Sequence, residues 1–243
     1  MAAATVVLAP TNWSLTNTKA RIDATRRGVR IATLPTITED TFARAIPVDY
    51  EELKRVGDAV AERLTAASRA RILSDHAEIT INLDGRTGLN DAGDLRTPGS
   101  MGNLPAGEAF IPPVETAADG VIVFDGSLAG YGELPTPTRV IVESGRAVEA
   151  DGEAGRWLLE TLDAGGPGGR LIAELGIGTN PAATVTGNVL EDEKVRGTAH
   201  VAFGANVGMG GTTVAGVHID GILLRPTVEL DGELVLADGR LHS

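Results

Sequence analysis

A chain of 243 residues is long enough for one large domain or two small ones, and for a substantial buried core. It contains no cysteine, which excludes disulfides, thiolate nucleophiles and cysteine-based zinc sites, so any metal must rest on His, Asp and Glu. The net charge of -12 and a pI near 4.8 oppose a nucleic-acid partner, because binding a phosphate backbone requires Lys and Arg to neutralise it. In chain order, residues 5–9 (TVVLA) read as a buried strand, Asn17 to Arg27 as a helix and Val29 to Leu34 as a second strand ending before Pro35. This order is a βαβ unit and predicts a parallel sheet. From Val48 to Ala70 apolar residues recur at helical spacing (Leu53, Val56, Val60, Leu64), with Asp49 as N-cap and Glu51 and Glu52 in the first turn.

Beyond residue 70 the texture changes to short alternating runs: Glu78 to Leu83, Gly120 to Phe124, Arg139 to Glu143 and Thr227 to Leu236. Between them stand Asp84-Gly85, Asp125-Gly126, Ser144-Gly145 and Asp231-Gly232, pairs that suit hairpin turns because Gly and Asp tolerate positive φ. A single helix is expected in this half, Gly152 to Asp163, ending at the GGPGG of residues 165–169. The predicted fold is α/β: a shortened amino-terminal α/β part with a parallel sheet (residues 1–70), followed by a β-rich α+β metal-binding part (residues 71–243). The amino terminus has no positive n-region, and no stretch reaches membrane-spanning length, so a soluble cytoplasmic protein with no membrane partner is expected. Abundant Ala, Arg, Gly and Asp with little Lys resembles the composition of a GC-rich bacterial source.

Four histidines are available. His242 is next to the carboxy terminus and His76 sits in a loop-like DHAE; both read as surface residues. His218 stands two residues before Asp220 in GVHIDG, and residues i and i+2 of an extended chain project to one face, so imidazole and carboxylate converge. His200, in the apolar run TAHVAFG, is a candidate third ligand of a two-His, one-carboxylate set. By spacing alone the HxD pair is weak, since any exposed strand carrying both residues produces it. Glu108 (NLPAGEAFIPP) and Glu174 (AELGIGTNP) read in isolation as turn or capping carboxylates. Each nonetheless lies among apolar residues with no Lys or Arg within three positions, which makes a divalent cation the expected partner of a buried carboxylate.

Several segments together resemble the aminopeptidase T (thermophilic metallopeptidase) superfamily: NLPAGEAFIP from Asn103, VFDGS from Val123, ELGIGTNP from Glu174, DEKVRGTAHVAFG from Asp192 and GGTTVAGVHID from Gly210. They occur in the family's order. The resemblance implies that Glu108, Glu174, His200, His218 and Asp220 occupy the positions that hold a co-catalytic pair of divalent metals in those peptidases. Two departures stand out. The peptidases carry a tyrosine shortly after the first metal-binding histidine, which helps stabilise the transition state, and Ala205 to Gly211 (ANVGMGG) has none. Their amino-terminal domain is also longer, so this chain is expected to begin partway through it. A second branch of the superfamily, resembling 2,5-dihydroxypyridine 5,6-dioxygenase, holds one Fe(II) on two histidines and an aspartate, matched here by His200, His218 and Asp220; it is likewise shorter and lacks the tyrosine.

The favoured expectation is a metallohydrolase that cleaves an amide or peptide-like bond of a small molecule or short peptide, with Zn, Co or Mn activating water and Glu108 and Glu174 as catalytic and metal-binding carboxylates. The retained glutamates favour it, since a mononuclear iron site needs neither as a ligand. The alternative is a mononuclear Fe(II) ring-cleaving dioxygenase, favoured by the missing tyrosine and short amino end. A non-catalytic scaffold is the third reading, opposed by the intact set of five ligand-type residues. A two-fold homodimer is expected, because the small amino-terminal part cannot cover both faces of a parallel sheet and a second subunit would supply the missing walls.

Overall fold

The computed structural model describes residues 3–16, 18–74 and 76–242. It opens with strand β1 (Val6–Thr11), helix α1 (Lys19–Thr25) and strand β2 (Arg30–Pro35), and the two strands pair in parallel from Val6 against Arg30 to Thr11 against Pro35. This is the predicted βαβ crossover; Asn17, where the helix was expected to begin, lies outside the described residues. Thr18 caps α1 by accepting from the backbone N–H of Arg21. β1 is an edge strand whose Val6 and Leu8 remain exposed, whereas Ile31 to Leu34 of the central strand β2 are buried on both faces. Helix α2 (Glu39–Ala45) follows, and then α3 (Tyr50–Ala66), where the Asp49 side chain accepts from the N–H groups of Glu51 and Glu52 as its cap position requires. α3 buries Leu53, Val60 and Leu64 at the predicted spacing.

The rest of the chain is strand-rich. In order come β3 (Arg69–Ser74), β4 (Ala77–Asn82), β5 (Leu89–Asp91), β6 (Met101–Asn103), β7 (Glu108–Ile111), β8 (Ala118–Phe124), β9 (Ser127–Leu128), β10 (Gly132–Glu133), β11 (Thr138–Glu143) and β12 (Arg146–Ala150). Helix α4 (Gly152–Ala164) leads to β13 (Ile172–Gly178), the short helix α5 (Val189–Asp192), β14 (Ala199–Gly204), β15 (His218–Leu223), β16 (Thr227–Leu230), β17 (Glu233–Ala237) and β18 (Arg240–Leu241). They form three sheets, with orders β1-β2-β6, β10-β9-β15-β14-β13-β7-β5 and β12-β11-β8-β4-β3-β16-β17-β18. The fold is therefore mixed α/β, a small parallel sheet followed by large antiparallel ones, as predicted. The parallel sheet recruits β6, well beyond residue 70, as its third strand.

Two of the four turn signals make hairpins with both central residues at positive φ: Ser144 and Gly145 (48° and 75°) between β11 and β12, and Asp231 and Gly232 (50° and 88°) between β16 and β17. Asp125-Gly126 does not; it carries the chain from β8 of the eight-stranded sheet to β9 of the seven-stranded one. Asp84-Gly85 likewise leaves β4 for another sheet. The expectation of a single helix in this half is also corrected, because α5 supplies a four-residue helix too short to leave a periodic signal.

One continuous apolar core joins the two large sheets with α3 and α4, through residues such as Ile79 and Ile81 of β4, Leu175 and Ile177 of β13, Val201 and Phe203 of β14, and Leu158 and Leu162 of α4. Past the register shift between Ile172 and Glu174, Leu175 and Ile177 of β13 and Ala199, Val201 and Phe203 of β14 enter this core, and strand alternation sends Glu174, Gly176, His200 and Ala202 to the opposite face. Among the described residues, no helix is long and apolar enough to cross a membrane.

Candidate metal centre

That opposite face carries the candidate site. Four neighbouring strands, β7, β13, β14 and β15, are held in an antiparallel register that sets Glu108 against Gly178, His200 against Gly176, Ala202 against both Glu174 and Asp220, and His218 against Gly204. Residues directly opposed in such a ladder share a face, so Glu108, Glu174, His200, His218 and Asp220 converge although the first and last are far apart in sequence. The positions between them are small. At Gly176 a Cβ would lie 2.0 Å from His200 Nε2, so the space taken by the imidazole exists only because that residue is glycine.

The five side chains form two groups that share Glu174. In the first, His200 Nε2 lies 3.3 Å from Glu108 Oε2 and 3.4 Å from Glu174 Oε1. In the second, His218 Nε2 lies 3.1 Å from Glu174 Oε2 and 3.4 Å from Asp220 Oδ1. The HxD pair thus meets as strand alternation predicts, and His200 joins it through the carboxylate of Glu174. His218 Nδ1 sits 2.7 Å from the carbonyl oxygen of Ala205, which can only accept; Nδ1 therefore donates and Nε2 faces the cluster as a ligand atom. Glu108, Glu174, His200 and Asp220 are buried, while the side chain of His218 keeps 29 % exposure and marks the approach from solvent. His76 is exposed and belongs to neither group.

The chemistry of this set fits a divalent ion. Ligand atoms around one ion at about 2.0–2.2 Å stand roughly 3.0–3.4 Å from one another, which is the spacing of the four histidine–carboxylate pairs above. Glu108 Oε2 is buried without a hydrogen-bond partner among the described residues. In the metal-free chain, burial disfavours charge on His200, but Glu174 and Glu108 outweigh it and push the imidazole up to about 9. His218 is raised in the same way, against its burial, by Asp220 and Glu174. Burial would raise Glu174, yet hydrogen bonds from His200 and His218 hold it well below the usual carboxylate range.

One residue at this centre escapes sequence reasoning and corrects it. Glu108 has a cationic side-chain partner: Lys194, two residues past the end of α5, places Nζ 2.5 Å from Glu108 Oε1 and 2.7 Å from Glu193 Oε1, with its side chain fully buried. The expectation that only a divalent cation could compensate Glu108 came from its local neighbours, and Lys194 lies 86 positions away. Burial raises both acids, Glu108 despite Lys194 and His200, and Glu193 to about 8 despite Lys194. Burial works against the charge of Lys194, and Glu108 and Glu193 keep it protonated. The available signal was the run of four charged residues Glu191 to Lys194 a few positions ahead of the apolar strand β14.

Fold and site together define the class: a mixed α/β chain whose clustered carboxylates and histidines could hold a divalent ion. The family model described as NicX: 2,5-dihydroxypyridine 5,6-dioxygenase matches residues 1–243, and the chain belongs to that family. Among solved structures it is similar to 2,5-dihydroxypyridine dioxygenase from Pseudomonas putida KT2440, with a TM-score of 0.83 and 21 % identity over 99 % of this chain and 72 % of that one. It is also similar to wild-type AmpT from Thermus thermophilus, with a TM-score of 0.71 and 17 % identity over 98 % of this chain and 76 % of that one. No curated protein sequence matches. At these identities the two structures establish a shared fold.

Proposed function

We propose that this chain is a mononuclear non-haem Fe(II) dioxygenase that opens a dihydroxylated, nitrogen-containing aromatic ring. The observation that carries this reading is the match of the NicX family model along the whole chain. It reverses the preference drawn from the sequence, where the retained glutamates favoured hydrolysis. Two features support it. Glu108, one of those glutamates, is compensated by Lys194 and needs no second ion. The segment from Ala205 to Gly211, where the peptidases have tyrosine, contains none.

His200, His218 and Asp220 would hold the ion, and Fe(II) there would supply the one-electron chemistry that O₂ needs to attack an electron-rich ring. The work of the chain's own residues follows from their geometry. The carbonyl of Ala205 fixes the tautomer and direction of the His218 ring. Glu174, between the two imidazoles, orients both and keeps a carboxylate oxygen toward each. Burial of Glu108, Glu174 and His200 keeps bulk water from that side and leaves the His218 side for an entering ring.

A specific observation keeps hydrolysis as the second reading. The two oxygens of Glu174 face different histidines, an arrangement also suited to a carboxylate bridging two ions. Anaerobic reconstitution separates the two. The dioxygenase reading expects about one equivalent of Fe(II), O₂ consumption with 2,5-dihydroxypyridine and loss of the ring absorbance. Two equivalents of Zn, Co or Mn with release of product from amide substrates, and no O₂ uptake, would overturn it.

A further inference from the structure

The two ligand groups are electrostatically unlike. Glu174 and Asp220 form ion pairs with histidines alone among the described residues, whereas Glu108 is paired with the ammonium of Lys194. Lys194 is no flexible surface lysine. Its side chain is fully buried, its backbone N–H donates to Glu191 O (2.9 Å), and its carbonyl accepts from the N–H of Asn180 (2.8 Å).

The segment that carries it is anchored at Glu191 and Asp192. Glu191 accepts from Thr41 Oγ1 (2.6 Å), Arg44 Nη1 (2.5 Å) and the N–H of Thr184 (2.9 Å). Asp192 accepts from Ser127 Oγ (2.6 Å) and the N–H of Thr186 (2.7 Å). Three separate parts of the chain therefore hold α5 in place, and the ammonium behind Glu108 is fixed by the fold.

We propose that Lys194 is a built-in cation occupying the electrostatic role of a second metal ion: by pairing with Glu108 it restricts the centre to one divalent ion, the one that His200, His218 and Asp220 would hold. This deepens the mononuclear reading and rests on it. The physical reason is charge balance. Buried carboxylates demand compensation, which a divalent ion or a fixed ammonium can provide, and an ion bound to Glu108 would face the ammonium across the same carboxylate. Lys194 is a positioning residue acting through Glu108; ligation remains with the histidines and acids.

The test is metal stoichiometry, which a merely structural lysine would not raise. Chelator-treated full-length protein is titrated calorimetrically with Mn(II) alone, and with Co(II) alone, as wild type, Lys194→Met and the double variant Lys194→Met/Glu108→Gln. The expected results are one tight equivalent for wild type, two for Lys194→Met, where Glu108 is freed, and one again for the double variant. Fe(II)-dependent turnover of Lys194→Met should fall at least tenfold. If Lys194→Met does not fold, Lys194→Gln, which keeps a donor to Glu108 without the charge, takes its place with the same expected two equivalents. Two equivalents in wild type would overturn the mononuclear reading itself. One equivalent in wild type together with one or none in the Lys194 variants would overturn this assignment alone, as would failure of all the variants to fold, which would make Lys194 purely structural.

Discussion

Replacing Gly176 with alanine adds one methyl group at the floor of the metal centre. Its Cβ would stand 2.0 Å from His200 Nε2 and 2.2 Å from Cε1, where ordinary contact begins at about 3.4 Å, so the ring must withdraw by about 1.4 Å or the strand must move. Neither is easy, because β13 and β14 are buried along their whole length. Overpacking of this kind costs about 1–3 kcal/mol, offset by about 0.4–1 kcal/mol from the lower entropy of the unfolded chain, since Gly176 has an ordinary strand φ. The net loss of stability is thus modest. The effect on the site is not, because metal ligands tolerate displacements of only about 0.2 Å and a 1 Å misplacement costs on the order of 10²-fold in rate. Gly176→Ala should therefore fold, melt a few degrees lower, and lose about 100-fold in metal affinity and in turnover, measured by calorimetric titration and O₂ uptake. Wild-type affinity in a folded Gly176→Ala protein would show that the ring has room to spare and that His200 is not held as argued.

Three further outcomes are expected. Glu174→Gln should leave one equivalent of Fe(II) bound and reduce turnover if the centre is mononuclear; a fall from two equivalents toward one with abolished amide hydrolysis would instead establish the two-metal reading. Because His200 is raised to about 9 against an ordinary 6.5, protonated His200 stabilises the metal-free protein fully below pH 6.5, and this contribution is lost as the pH rises through 9. Metal must displace those protons, so calorimetry in buffers of different ionisation enthalpy should detect proton release at pH 7.5, and none would contradict the shift. Asn180→Ala should cost at least about 3 kcal/mol in denaturant unfolding, because its fully buried amide donates to the carbonyls of Ala45 and Ala106 and accepts from the N–H groups of Ala182 and Ala183; a loss under 1 kcal/mol would refute that role.

What could be read from the sequence was what is local. The β1-α1-β2 crossover, the Asp49 cap of α3 and the turns at Ser144-Gly145 and Asp231-Gly232 depend on neighbours a few residues apart. So does the shared face of His218 and Asp220, which needs only strand parity. Parity cannot say which strands are adjacent. That Glu108, Glu174 and His200 meet depends on the register of β7, β13 and β14, a property of the whole sheet, and only the resemblance to a family placed them together. β6 returns to the amino-terminal sheet as three residues with no periodic signature, and α2 and α5 are seven and four residues long. Lys194 was missed for the same reason in electrostatic form: searching three residues either side of Glu108 for a cation samples the wrong dimension in a folded chain.

The fastening of the amino-terminal unit bears on how remote changes reach the metal centre. β1, α1 and β2 pack around a small apolar cluster of Ala24, Val29 and Ile31, separate from the main core. The links from the following segment to the site are polar: Arg44 and Thr41 to Glu191, Asn180 to the carbonyl of Ala45, and Asn188 to the carbonyl of Thr36. Apolar packing is tolerant of small slides, whereas a buried carboxylate bonded to a guanidinium, a hydroxyl and a backbone N–H has few alternative arrangements of comparable energy. A displacement of α2 would therefore reach Glu191, and from there Lys194, whose backbone N–H donates to the Glu191 carbonyl. Arg44 lies far from every candidate ligand in sequence, yet its loss would loosen the segment that sets the charge behind Glu108, altering the metal centre while leaving the core between the large sheets intact.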